Sequence, residues 1–322
     1  MIDPAGRWPD FDHKPPYAGL ASFAQLPWSE NPADLVGAGA AIVGVPFDAL
    51  ATDRIGTRDG PRAIRVASRP LGPELDTGID PGERLRLLDY GDAPVAPFDV
   101  AATRAAIAAS VGEVVAAGAA PIVLGGDHSI TLPALRACGR GRGAVGLVHF
   151  DTHTDTGIDV YGDTDNHGTM MRALVEEGYV DPRRYVQVGL RGGWPGPEVF
   201  AWQAEIGISH FTAEAVRLQG IDEVVRRAIE IVGAGPTYLS VDIDVLDPAF
   251  AGRTGTPEAG GLLPRELLAA TRQLGEALEL CGADVVETVL GGWGTEDVAS
   301  LTAAGVVGSV LTGIAAPAPG GD

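Results

Sequence analysis

The sequence predicts an α/β protein built on a mostly parallel sheet with helices on both faces. Two observations carry this. Short apolar runs, each stopped by glycine, proline or acid, alternate with stretches of helical length and helical periodicity, the pattern of a sheet buried on both sides. The residues with chemical potential (His128, Asp151, His153, Asp155, Asp242, Asp244 and Glu287) stand at or near the ends of those runs, which is where parallel sheets bind ligands. A (β/α)8 barrel would place its site at the same edge, so the site and the fold are separate questions.

Residues 1–35 are proline-rich and aromatic and are expected to form an irregular arm on a single domain spanning 1–322. The first strand is expected at 40–45. In the segment 54–65, Gly56 and Gly60 permit tight turns and Pro61 can open a helix. Further strands are expected at 85–90, 121–124, 144–148, 185–190, 237–241 and 284–290. Helices are expected at 101–117, 130–137, 170–177, 221–232, 265–279 and 298–314. The tail, 315–322, should be flexible.

Composition narrows the function. A chain of 322 residues with 45% hydrophobic residues can bury a large core. A net charge of -20 argues against a nucleic-acid surface and against anionic lipid. Two cysteines are too few for a disulfide framework, and residues 1–16 lack the basic and apolar runs of a signal peptide. A cytoplasmic enzyme without a membrane span is the expectation.

The chain is organised around residues 148–156. Asp151, His153 and Asp155 recur at every second position, so an extended backbone would project all three from one face. Such donors suit a divalent cation. Asp242 and Asp244 repeat the spacing after another apolar run, and His128 follows a glycine pair at the end of a third. Two histidines and four aspartates exceed the needs of one tetrahedral zinc and match two metals bridged by shared carboxylates. Such a pair would lower the pKa of water and favour hydrolysis over redox chemistry. Asp127 and Asp247 are expected to orient ligands, and His149 to be a core histidine.

These residues carry a resemblance. Gly-Gly-Asp-His-Ser at 125–129, Asp-Thr-His-Thr-Asp at 151–155 and Ser-Val-Asp-Ile-Asp-Val-Leu-Asp-Pro-Ala-Phe at 240–250 resemble the signature motifs of the ureohydrolases, the arginase and agmatinase family. The segments 56–65, 167–169 and 254–261 support it. The resemblance implies a three-layer α/β/α domain with an eight-stranded, mostly parallel sheet. It also implies two Mn2+ per subunit, with Ni2+ or Co2+ as substitutes, and hydrolysis of a guanidino group to urea and an amine. His128, Asp151, Asp155 and Asp242 match the ligands of one metal; His153, Asp151, Asp242 and Asp244 match those of the other. His167 matches a proton-shuttling histidine. Glu287 matches the carboxylate that pairs with the guanidinium, helped by Asp155. The family also implies a homo-oligomer, a trimer or hexamer.

Some positions depart from the family pattern: Thr152, Gly252-Arg253, Met170-Met171, and residues 288–293 after Glu287. They concern the substrate more than the metals. The loop 157–166 holds Asp159, Asp163 and Asp165 and no Lys or Arg. Asp163 and Asn166 are therefore candidate contacts for a cationic tail, which favours agmatine, yielding putrescine. Arg191 or Arg253 at the mouth would instead favour a guanidino acid such as 4-guanidinobutyrate, and free guanidine is a further alternative. A metal-bearing but catalytically silent partner subunit is the reading from another class.

Overall fold

A computed structural model describes residues 18–290 and 298–317. Within them the chain forms β1 (Ala40–Gly44), α1 (Gly60–Ala67), α2 (Pro81–Arg84), β2 (Leu87–Asp92), α3 (Val100–Ala116), β3 (Ala120–Leu124), α4 (Thr131–Gly139) and β4 (Val145–Phe150). There follow α5 (Met170–Glu176), β5 (Val180–Leu190), α6 (Pro197–Ile206), β6 (Ser209–Thr212), α7 (Ala213–Gln219), α8 (Ile221–Val232) and β7 (Thr237–Asp242). The set closes with α9 (Pro248–Ala251), α10 (Pro264–Ala277), β8 (Leu280–Val286) and α11 (Val298–Ile314).

The strands make one eight-stranded sheet in the order β2-β1-β3-β8-β7-β4-β5-β6, and every pair is parallel. The sheet is open, with β2 and β6 at its edges, which rules out the barrel. Alternation along each strand sorts side chains between two layers. Val148 and Phe150 of β4 face the layer that contains α1, α7, α8, α10 and α11, while Val145 and Leu147 face α3, α4 and α5. Burying a side chain of this size contributes about 1.5–3 kcal/mol. Helix α11 has no charged residue and is buried along most of its length, between α1 and α10.

The described part of the N-terminal arm is pinned to the body. Phe23 is fully buried and its N–H donates to Asp89 Oδ2 at 2.7 Å. The same carboxylate receives a bidentate pair from Arg65, both bonds at 2.9 Å, and Trp28 stacks on that guanidinium at 5.0 Å. A strand expected at 284–290 is instead Leu280–Val286: the backbone turns at Glu287, with φ 61, and the strand extends further back. Strand β6 and helices α6 and α7 were not anticipated. Of the expectations above, those for residues 1–17 of the arm, for 291–293 of the segment after Glu287 and for the tail from 318 lie outside the described residues.

Candidate metal and catalytic centre

The centre forms where β3, β4, β7 and β8, adjacent in the sheet, reach their carboxyl ends. Each strand supplies donors from the turn that follows it. After β3 the chain must pass beneath its neighbours, and Gly126 makes this feasible: a Cβ there would lie 1.9 Å from the Phe47 carbonyl oxygen. His128 then opens a short 3-10 turn capped by Asp127, whose side chain accepts the Ser129 N–H at 3.0 Å. After β4 the backbone does not stay extended as the alternating spacing suggested. The strand stops at Phe150 and Asp155 takes φ 51, so a folded turn, and not a pleat, brings Asp151, His153 and Asp155 together. Likewise Asp242 ends β7 and caps a 3-10 turn by accepting the Asp244 N–H at 2.8 Å.

The donors meet in two clusters. His128 Nδ1 lies 3.2, 3.1 and 3.2 Å from Oδ2 of Asp151, Asp155 and Asp242. His153 Nδ1 lies 3.1 Å from Asp244 Oδ2 and 3.6 Å from Asp151 Oδ1. Asp151 thus turns one oxygen to each cluster. All four carboxylates and His128 are buried; His153 is partly exposed.

Such crowding is unfavourable unless cations enter. Burial, then the charges of Asp244 and Asp151, push the Asp242 carboxyl well above its usual range. Burial and Asp151 push Asp244 up to about 6. His128 Nδ1 is buried, aimed at three carboxylates, and has no hydrogen-bond partner. Its other nitrogen, Nε2, lies 2.8 Å from Ser240 Oγ, which donates to Asp284 Oδ1 at 2.7 Å. With its own proton committed to Asp284, the serine oxygen accepts Nε2–H and leaves the Nδ1 lone pair free. An unpartnered imidazole nitrogen among oxygen donors, in an excess of buried negative charge, fits divalent metal ions.

His149 sits one step behind. Its Nε2 meets Asp151 Oδ2 at 2.8 Å and its Nδ1 meets the Tyr185 hydroxyl at 3.0 Å. Although His149 is near enough to count geometrically with His128, Asp151 and Asp155 as a metal-holding group, both of its nitrogens are engaged, so it orients Asp151. Asp247 accepts N–H groups of Ala249, Gly260 and Gly261 and fastens a loop.

Beside the clusters, Glu287 Oε1 receives the His128 N–H at 2.9 Å and lies 2.9 Å from His167 Nδ1. Its Oε2 is buried without a partner, and Gly255 leaves it room, since a Cβ there would lie 2.8 Å from Oε2. Glu287 and Asp155 both hold a left-handed backbone, which costs about 1–3 kcal/mol each. Burial opposes the charged form of His167, but Glu287 outweighs it and its pKa is pushed up to about 9.

A cavity of about 350 Å³ opens above this floor, lined by Thr52, Asp53, Arg54, His153, Asp155, Val160, Tyr161, His167, Gly168, Trp194, Asp242 and 256–258. Asp163 and Asn166 are not on its wall. Asp163 accepts the Asp165 N–H, Asp165 pairs with Arg104, Asp159 accepts the Gly162 N–H, and Asn166 is locked between Asp163 O and the Gly168 N–H. Val160 and Tyr161 face the cavity from this loop instead. Arg191 does not reach out to the mouth either: its guanidinium donates to backbone carbonyls including those of Asp244, Leu246 and Glu258, latching the turn after β7 to the loop before α10. Thr52, Ser240, Asp284 and Tyr185 were not singled out from sequence. Asp284, a charge inside an apolar strand, was the one available signal.

The sequence matches the arginase family over residues 38–312. Guanidinopropionase of Pseudomonas aeruginosa is 44% identical over 276 residues, 85% of each chain. An agmatinase of Chromobacterium violaceum is 37% identical over 300 residues, 92% of this chain and 88% of that one. Among solved structures, proclavaminate amidinohydrolase of Streptomyces clavuligerus superposes with a TM-score of 0.87 at 36% identity, covering 94% of this chain and 99% of that chain. The chain therefore belongs to the arginase family and is a guanidino ureohydrolase, a hydrolase of the C–N bond in amidines.

Proposed function

We propose that the protein hydrolyses a short guanidino acid to urea and an amino acid, using two manganese ions held by His128, Asp151, Asp155, Asp242, His153 and Asp244. The observation that carries the chemistry is the unpartnered Oε2 of Glu287 beside the two donor clusters. When bound, a pair of divalent cations lowers the pKa of water and supplies a nucleophile at neutral pH. Everything else falls to the chain. Glu287 Oε2 is free to accept an N–H of the planar guanidinium, and the buried setting strengthens that charge-assisted bond. Oε1, fixed by His128 N–H and His167, keeps the carboxylate from rotating. His167 holds a proton for the departing nitrogen. Trp194, Val160 and Tyr161 wall the cavity.

The carboxylate-tailed substrate is supported by the wall of the cavity. The acids of loop 157–166 are engaged within the loop or with Arg104, and Arg54 is the one Arg or Lys among the lining residues. The similarity to a guanidinopropionase points the same way. Agmatine is the second reading, favoured by Asp53 and Glu258 on the same wall. Urea release by manganese-loaded protein from 3-guanidinopropionate, 4-guanidinobutyrate, agmatine, arginine and guanidine decides between them. A preference for agmatine refutes the guanidino-acid reading, and no urea from any of them favours a silent partner subunit.

A further inference from the structure

Both ring nitrogens of His167 are occupied. Nδ1 lies 2.9 Å from Glu287 Oε1. Nε2 lies 2.7 Å from Thr52 Oγ1 and accepts the Thr52 backbone N–H at 3.1 Å. Direct proton delivery to a leaving nitrogen would require one ring nitrogen to break its bond and turn to the substrate. Thr52 itself lines the cavity together with His167, so the hydroxyl already in contact with Nε2 belongs to a residue of the cavity wall.

Resting on the reading of this site as an amidinohydrolase centre, we propose that Thr52 is a catalytic residue that relays the proton from His167 to the leaving amine. As the bond between the guanidino carbon and the leaving nitrogen breaks, its electron pair passes to that nitrogen. The nitrogen takes the proton of Thr52 Oγ1–H, while Oγ1 takes the proton of His167 Nε2–H. His167 ends neutral, with its remaining proton on Nδ1 and donated to Glu287. The attacking water gives up the proton that restores the imidazolium.

Two neighbours balance this transfer. The Thr52 N–H can be donated only to an Nε2 that carries no proton, so it favours the state after transfer. The Glu287 carboxylate favours the imidazolium before it. A carrier held between opposing preferences gives up and regains its proton at low cost. The threonine therefore has a double contact, its amide setting the tautomer and its hydroxyl conducting the proton.

The test compares wild type, Thr52→Val and Thr52→Ser, each with metal content and thermal unfolding measured. The substrates are the best of 3-guanidinopropionate, 4-guanidinobutyrate and agmatine, and its analogue with oxygen in place of the carbon next to the leaving nitrogen. That analogue releases an alkoxyamine, a much weaker base that needs little help from a proton donor. Thr52→Val should lower kcat on the parent substrate about 100-fold and lose far less on the analogue, with metal content unchanged, while Thr52→Ser should stay within about threefold of wild type. An equal loss on both substrates, or a serine variant as poor as the valine variant, overturns the relay and leaves Thr52 a positioning residue. A wild type that releases urea from none of these, nor from arginine or guanidine, overturns the underlying site reading, and the relay with it.

Discussion

Replacing Ser240 by alanine should weaken one metal position and spare the other. Ser240 Oγ is the link between His128 Nε2, at 2.8 Å, and Asp284 Oδ1, at 2.7 Å, all fully buried. Removing it strands an imidazole N–H, at about 1–3 kcal/mol for an unsatisfied buried group. Asp284 fares better, because Tyr238 and Thr131 still donate to its Oδ2 at 2.9 and 2.8 Å. The imidazole is then free to rotate or to change tautomer, which carries Nδ1 away from Asp151, Asp155 and Asp242. Loss of an outer partner of this kind typically lowers metal affinity about 10–100-fold. Nothing in the change touches His153 or Asp244. Calorimetric titration of metal-free Ser240→Ala with Mn2+ should therefore resolve one position near wild-type affinity and one weakened by that factor, with urea release at limiting metal falling in step. Equal weakening of both positions, or no weakening of either, would refute the account of how His128 is oriented.

Three further outcomes are expected. Arg65→Met leaves Asp89 buried without its partner and should destabilise the protein by about 3–5 kcal/mol in urea unfolding; a loss below about 1 kcal/mol would mean that water or the arm compensates. For Asp48, burial raises the carboxyl, but Arg58 and the N–H groups of Gly56 and Arg58 outweigh it and hold the pKa below the usual value. The folded-state pKa lies below the unfolded one, near about 3.9, so this stabilisation is present above that value and lost as pH falls through the folded one. The stability gap between wild type and Asp48→Asn should accordingly be constant at neutral pH and close in acid, and a gap that widens in acid would contradict it. Arg54→Gln should raise KM for a guanidino acid about tenfold with kcat little changed, since a charge on the wall contributes to ground and transition state alike, whereas an unchanged KM would remove Arg54 from the tail site.

Strand-end chemistry was legible because it is local. The apolar runs before His128, Asp151 and Asp242 define where parallel strands stop, and the helices at 221–232 and 298–314 were placed at the observed bounds. The manner of convergence was not. Alternating spacing suggested a continued pleat after β4, but a left-handed Asp155 and a 3-10 turn after Asp242 make the clusters, and such turns depend on contacts with neighbouring strands. Strand β6 is four residues long and carries no apolar run, so periodicity had little to detect. The partners of the loop acids were hidden for a similar reason: Asp165 is claimed by Arg104, 61 positions away, a pairing that composition does not reveal. Thr52 gave no signal at all, because its partner His167 lies 115 positions along the chain.

The divided carboxylate of Asp151 gives one oxygen to each donor cluster, so the two cation positions share a single side chain. Replacing Asp151 should therefore weaken both positions together, unlike a change confined to the partners of one histidine. Dissecting the pair by mutation must then begin at its periphery, with His128 or His153, because any change at Asp151 disturbs both.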